Sequence, residues 1–78
     1  MNEAARVLRE QLRKAMSDSD MSQVEFAKAG DIRQGHVSGI LSGNKRPGRK
    51  TLGAILLVFP NLRPYVVAVL TARGEKAA

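Results

Sequence analysis

The chain has 78 residues and no cysteine, which fits one small domain and excludes disulfides, thiolate metal sites and cysteine catalysis. Its single histidine, His36, is too few for a compact histidine-based metal centre or a histidine-paired nucleophile. We therefore expect no metal, no cofactor and no enzymatic activity. Because the apolar runs are too short to span a bilayer and the charged N-terminus lacks the apolar core of a signal peptide, we expect a cytoplasmic protein without a membrane partner.

The formal net charge of +6 is concentrated in the second part of the chain. Residues 1–31 have five Lys/Arg against six Asp/Glu, a net of −1, whereas residues 32–78 have eight against one, a net of +7. No acidic residue lies between Asp31 and Glu75. Such one-signed charge is typical of a surface that binds a polyanion. The alternatives are a basic surface that is merely solvated, and an acidic membrane, which usually attracts one continuous basic amphipathic helix.

Five stretches of the chain repeat their apolar residues with a helical period and are separated by turn-forming residues. We therefore expect an all-α, compact five-helix bundle that forms a single domain over residues 1–78. In the last stretch the valine-rich run 65–70 leaves a strand as the alternative, although no second strand is available to pair with it. The predicted helices cover residues 3–16, 22–29, 33–42, 49–59 and 62–72.

Several ends of these helices have capping signals. Ser22 and Glu25 have the spacing of a capping box, in which each side chain accepts a backbone N–H of the other residue. Gly43 is predicted to end the third helix. Pro60 is predicted to end the fourth helix, and Asn61 to cap the start of the fifth.

The segment from Met21 to Gly43 resembles the helix-turn-helix of the phage repressor and Cro-type family. Ala27 matches the small residue at which the family's two helices cross, and Val37 and Ile40 match the apolar anchors of its second helix. The resemblance covers about residues 5–70. It implies a helix-turn-helix inside the bundle and a sequence-specific transcriptional regulator, a repressor, that binds double-stranded DNA at a pseudo-palindromic operator.

The turn departs from the family pattern, which has an apolar residue followed by glycine where this chain has Gly30 followed by Asp31. Aspartate can adopt the left-handed conformation that such a turn needs, so the turn remains feasible. A shift of its register by one residue would move the residues that face DNA.

The predicted third helix has an apolar side opposite a side of glycine and serine, and its N-terminal end carries Arg33 and Gln34. A helix fits the major groove, where its N-terminal residues meet base edges. Arginine suits guanine and glutamine suits adenine. The two interior glycines indicate either a weak helix or a close approach to the bases. The predicted base-contacting residues are Arg33, Gln34, Gly35, His36, Ser38 and Gly39.

Four basic residues occur within residues 44–50, just before and inside the predicted fourth helix. Arg49 and Lys50 fall in its first turn, where the helix dipole disfavours cations unless a phosphate binds there. The family resemblance adds Gln23 as a phosphate contact that also braces Gln34. The predicted contacts to the DNA backbone are Gln23, Arg13, Ser42, Asn44, Lys45, Arg46, Arg49 and Lys50.

The predicted fifth helix has more apolar surface than a terminal helix needs, which favours a homodimer. The alternative is a monomer in which this helix is fully packed. A Cro-like or lysogeny repressor, a plasmid or restriction–modification controller and an antitoxin all fit, in a bacterial cytoplasm and associated with the nucleoid. A second class of function is a protein-interaction module whose main partner is a toxin or a polymerase subunit. The predicted dimer contact consists of Tyr65, Val66, Val69 and Leu70.

Overall fold

The computed structural model describes residues 3–72, within which the chain forms five α-helices and no strand. The prediction of an all-α five-helix bundle is confirmed, and the helix ends lie within two residues of the predicted ones. The strand alternative for residues 65–70 is wrong, and residues 1–2 and 73–78 of the predicted domain lie outside the described part. The elements are α1 (Glu3–Asp18), α2 (Gln23–Gly30), α3 (Gln34–Ser42), α4 (Arg49–Val58), a 3-10 turn (Pro60–Leu62) and α5 (Arg63–Ala72).

One hydrophobic core joins all five helices. The first helix packs against α5, and α2 packs against both α3 and α4. The rings of Phe26 and Phe59 stack across this core, with centroids 6.0 Å apart and planes 8° from parallel. No helix among residues 3–72 is both long and apolar enough to cross a lipid bilayer. The most deeply buried side chains are Leu8, Leu12, Phe26, Val37, Ile55, Val66 and Val69.

Three of the helices end in the same way, with one residue in the left-handed conformation. These residues are Asp20 after α1, Asp31 after α2 and Gly43 after α3, with φ angles of 53°, 55° and 87°. In each case the next residue donates its backbone N–H to a carbonyl five positions earlier, as in a Schellman motif. These hydrogen bonds are Met21 to Met16 at 2.8 Å, Ile32 to Ala27 at 2.9 Å and Asn44 to Gly39 at 2.9 Å.

The glycine at position 30, where the family pattern has an apolar residue, follows from the packing of α2 on α4. A Cβ atom on Gly30 would lie 2.7 Å from the Cβ of Ala54, which is too close for two carbon atoms. Position 30, the last residue of α2, therefore has no room for a side chain. Asp31 then takes the left-handed conformation that reverses the chain.

The capping box at the start of α2 is confirmed. The Glu25 backbone N–H donates to Ser22 Oγ at 3.1 Å, and the Ser22 backbone N–H donates to Glu25 Oε1 at 2.9 Å. The prediction that Asn61 caps the fifth helix is wrong. Because the buried Leu62 donates its N–H to the Phe59 carbonyl at 3.0 Å, a tight 3-10 turn contains Asn61 and runs directly into α5.

Candidate nucleic-acid interface

The third helix is fixed to the domain on one side only. Its apolar residues Val37, Ile40 and Leu41 are all buried, as their helical spacing predicts. Gly35, Ser38 and Ser42 on the opposite side are exposed, and Gly39 is half-buried. These outward side chains of α3 are therefore small, and the backbone is open to another molecule at Gly35, where an added Cβ atom would meet nothing within 4 Å.

The N-terminal end of α3 carries two long polar side chains. Arg33 is the residue before the first helical position, has an extended conformation, and makes no side-chain cap of its own helix. Arg33 and the adjacent Gln34 are exposed, and His36 is half-buried. The structure therefore places both predicted base-reading side chains at the end of the helix that faces outward.

A groove runs between α3 and the start of α4. Three of the predicted base-contacting residues lie along it, together with one lysine of the loop before α4 and one lysine of α4. Residues 32–72 contain no acidic residue, so the groove attracts anions. Its lining residues are Ile32, Arg33, Gly35, His36, Lys45, Lys50 and Thr51.

The start of α4 combines an N-terminus without a side-chain cap and two basic residues. Gly48 precedes its first turn in an extended conformation and offers no side chain to cap it. Arg49 and Lys50 are exposed in that first turn. A helix N-terminus without a side-chain cap and cations in its first turn together favour a bound phosphate.

Four more of the predicted backbone contacts lie at or just after the C-terminal end of α3. Ser42, Asn44, Lys45 and Arg46 are exposed at its C-terminal end. Ser42 donates its hydroxyl to the Gly39 carbonyl at 3.0 Å.

Gln23 is half-buried at the first position of α2. No hydrogen bond joins it to Gln34 among the described residues, so the predicted bracing remains a prediction.

Next to Gln23, the Ser22 backbone N–H donates to the Glu25 carboxylate and lowers the pKa of Glu25 below its usual value. Glu25 is thus a carboxylate engaged in capping α2.

Arg13 has a role within the protein that the sequence pattern did not indicate. Its guanidinium donates to the backbone carbonyl of Leu41, near the C-terminal end of α3. The guanidinium of Arg9 lies beside Gly43, 3.1 Å from where a Cβ atom would be. Two arginines of α1 therefore hold the negative end of the α3 dipole. The spacing of Arg9 and Arg13, one helical turn apart on α1, is the signal that could have indicated a shared target.

A family model described as Helix-turn-helix matches residues 10–63. This range begins in α1, includes the α2–turn–α3 unit and ends at the start of α5. The chain belongs to the helix-turn-helix family. It therefore has the domain of a DNA-binding regulator. Searches of curated proteins and of solved structures found no match.

In this helix-turn-helix protein, α5 supplies the protomer's own core. Val66 and Val69 are each 1% exposed, so their assignment to a dimer contact is corrected: they pack inside the protomer. Tyr65 and Leu70 are half-buried against that core. Val67 is 39% exposed, which is more than any of these four residues.

Proposed function

We propose that this helix-turn-helix protein is a sequence-specific transcriptional repressor that binds a pseudo-palindromic operator as a homodimer. The basic groove between α3 and α4 carries this proposal, because it combines base-reading groups with phosphate-binding groups on one surface. Arg33 at the N-terminal end of α3 and Lys50 in the first turn of α4 both line this groove, and the exposed Gln34 and Arg49 adjoin them in the sequence.

In the proposed complex, α3 lies in the major groove. Arg33 donates two hydrogen bonds to guanine O6 and N7, and Gln34 exchanges two with adenine N6 and N7. The first turn of α4 holds one phosphate, and the loop before it holds another, which fixes the orientation of α3. A dimer bound over a promoter excludes polymerase by occupying its site. This chemistry matches a Cro-like repressor acting at the nucleoid of a bacterial cell.

Selection of bound sequences from a random DNA pool tests this proposal. We expect an enriched pseudo-palindrome whose half-sites are centred about 10 bp apart, one helical turn. The alternative function, a module whose main partner is a toxin or a polymerase subunit, predicts weak binding to DNA and no enriched sequence.

The proposed base contacts are tested on the selected site. Gln34→Ala or Arg33→Ala should each weaken binding there by about 1–3 kcal/mol and relax the preference at one base position. Random-sequence DNA of equal length and salt is the control, because a base contact contributes little to binding there. Equal losses on both DNAs would assign these residues to the phosphate backbone.

A further inference from the structure

The Lys45 side chain lies along the outward face of α3 at Gly39. A Cβ atom on Gly39 would be 2.9 Å from both Cγ and Cδ of Lys45 and 3.4 Å from its Cε. These distances are shorter than the normal separation of carbon atoms. At Gly35, one turn earlier, a Cβ atom would meet nothing within 4 Å. The glycine at position 39 therefore makes room for the lysine, whereas the glycine at position 35 leaves open space.

The backbone of Lys45 is held to the same residue. The Gly39 carbonyl accepts the N–H of Lys45 at 3.0 Å and the N–H of Asn44 at 2.9 Å. These hydrogen bonds complete the left-handed ending of α3 at Gly43. The Lys45 side chain therefore starts from a fixed point, and less conformational freedom is lost when its ammonium binds a target.

From that point the side chain enters the groove that contains the base-reading end of α3. Lys45 lines this groove together with Arg33, Gly35 and His36. Arg46, the next residue, is absent from this lining and borders a second groove, between α1 and the loop that follows α3, which Lys45 borders too. Of these two neighbouring cations, Lys45 alone therefore borders the groove that Arg33 lines.

The geometry points to Lys45 as a base-reading residue. Its side chain crosses Gly39 and supplies the long polar group that the small residues on the outward face of α3 do not provide. This inference rests on the proposed function, in which α3 enters the major groove. An ammonium group only donates hydrogen bonds, so its target is the pair of acceptors O6 and N7 of a guanine. Lys45 thus specifies one G·C pair, beyond the phosphate contact that its charge alone predicts.

Three variants test the role of Lys45 on the selected DNA and on single-base variants of it. Lys45→Met keeps the aliphatic chain and removes the charge, so we expect a roughly tenfold loss of discrimination at one G·C pair and retained preference elsewhere. Arg46→Met is the matched control, and it should weaken binding to all sequences equally. Gly39→Ala should relax the same G·C pair as Lys45→Met, because its methyl group displaces the lysine chain.

The effect of Gly39→Ala must depend on Lys45. In a Lys45→Ala background we expect it to leave the base preference unchanged, because no long side chain remains to be displaced. A thermal unfolding curve for each variant checks that α3 stays folded.

Equal losses on selected and random DNA for Lys45→Met would make Lys45 a phosphate contact and overturn the inference, while the proposed function stands. Unchanged discrimination in Gly39→Ala would also overturn it. Failure of the parent chain to enrich any sequence would overturn the proposed function and this inference together.

Discussion

At the level of single residues, Gly30 and Asp31 each meet one of the two requirements of the turn that follows α2. The helix end must approach α4 closely, which excludes a side chain at position 30, and the next residue must take a φ of 55°. The sequence shows that aspartate can take this conformation, but the close approach of Gly30 to Ala54 joins residues 24 positions apart. A local pattern contains no information about such a contact.

We predict that Gly30→Ala lowers the free energy of unfolding by about 1–3 kcal/mol, the usual cost of overpacking. The Ala54 Cβ cannot move aside without its backbone. Gly53→Ala is the matched control, since that exposed α4 position has nothing within 4 Å. It should stabilise the protein by up to about 1 kcal/mol through helix propensity. Urea denaturation measures both, and an equally stable Gly30→Ala variant would contradict the packing argument.

At the scale of helices, the buried side of α3 and the start of α2 could be predicted from the sequence because both depend on local spacing. Val37, Ile40 and Leu41 follow the helical period, and the capping box spans four residues. The contacts of Arg13 with Leu41 and of Lys45 with Gly39 could not be predicted in the same way. They depend on how long, flexible side chains lie once α1, α3 and the loop have packed together.

The start of α2 allows a prediction about stability and acidity. Ser22→Ala should lower the free energy of unfolding by about 1 kcal/mol through loss of the cap, whereas the exposed Ser19→Ala should have little effect. Because the Ser22 backbone N–H holds the folded-state pKa of Glu25 below its ordinary value, the carboxylate's contribution to stability is fully present above that ordinary pKa and is lost as pH falls through the folded-state pKa. Glu25→Gln should remove this part of the acid dependence, measured by urea denaturation across pH. An unchanged pH profile would contradict the role of the carboxylate.

The first turn of α4 allows a prediction about salt. Arg49→Ala and Lys50→Ala should each weaken binding to all DNA sequences and reduce the salt slope by roughly one phosphate. Lys50→Ala should leave the unbound protein no less stable, because it removes a cation from the positive end of a helix dipole. Titrations at several salt concentrations measure the slope. The exposed Lys28→Ala on α2 is the control, and a lower melting temperature with an unchanged slope in Lys50→Ala would assign Lys50 a structural role.

For the chain as a whole, the apolar content of α5 was predicted correctly. Too many of its residues were assigned to a dimer contact, however, and too few to the core of the single chain. Period and composition mark Val66 and Val69 as apolar, yet they do not say whether α1 or a second copy covers them. The structure shows that α1 and the rest of the core do so. Among the larger apolar side chains of α5, Val67 is exposed and Tyr65 and Leu70 are half-buried.

For the proposed homodimer we predict different results from two valines of α5. Val67→Glu should lower the oligomer mass in sedimentation and the affinity for the selected palindrome, with stability changed by no more than about 0.5 kcal/mol. Val69→Glu should unfold the protomer, because it places a charge in the core. Val24→Glu, at an exposed valine on α2, is the control for oligomer mass. A folded 8.5 kDa monomer that binds DNA as a single copy would contradict the dimer.

Because Val66 and Val69 complete the core within each protomer, folding and pairing are separate equilibria in the proposed dimer. In that proposal a folded protomer exists below the concentration at which pairs form, and the concentration of pairs then rises with the square of the concentration of free protomer. Occupancy of the operator inherits this steepness, so a modest change in synthesis or degradation gives a sharper change in transcription than a permanent dimer would give. Substitutions at Val67 would then alter the threshold of the genetic response while leaving the recognised sequence unchanged.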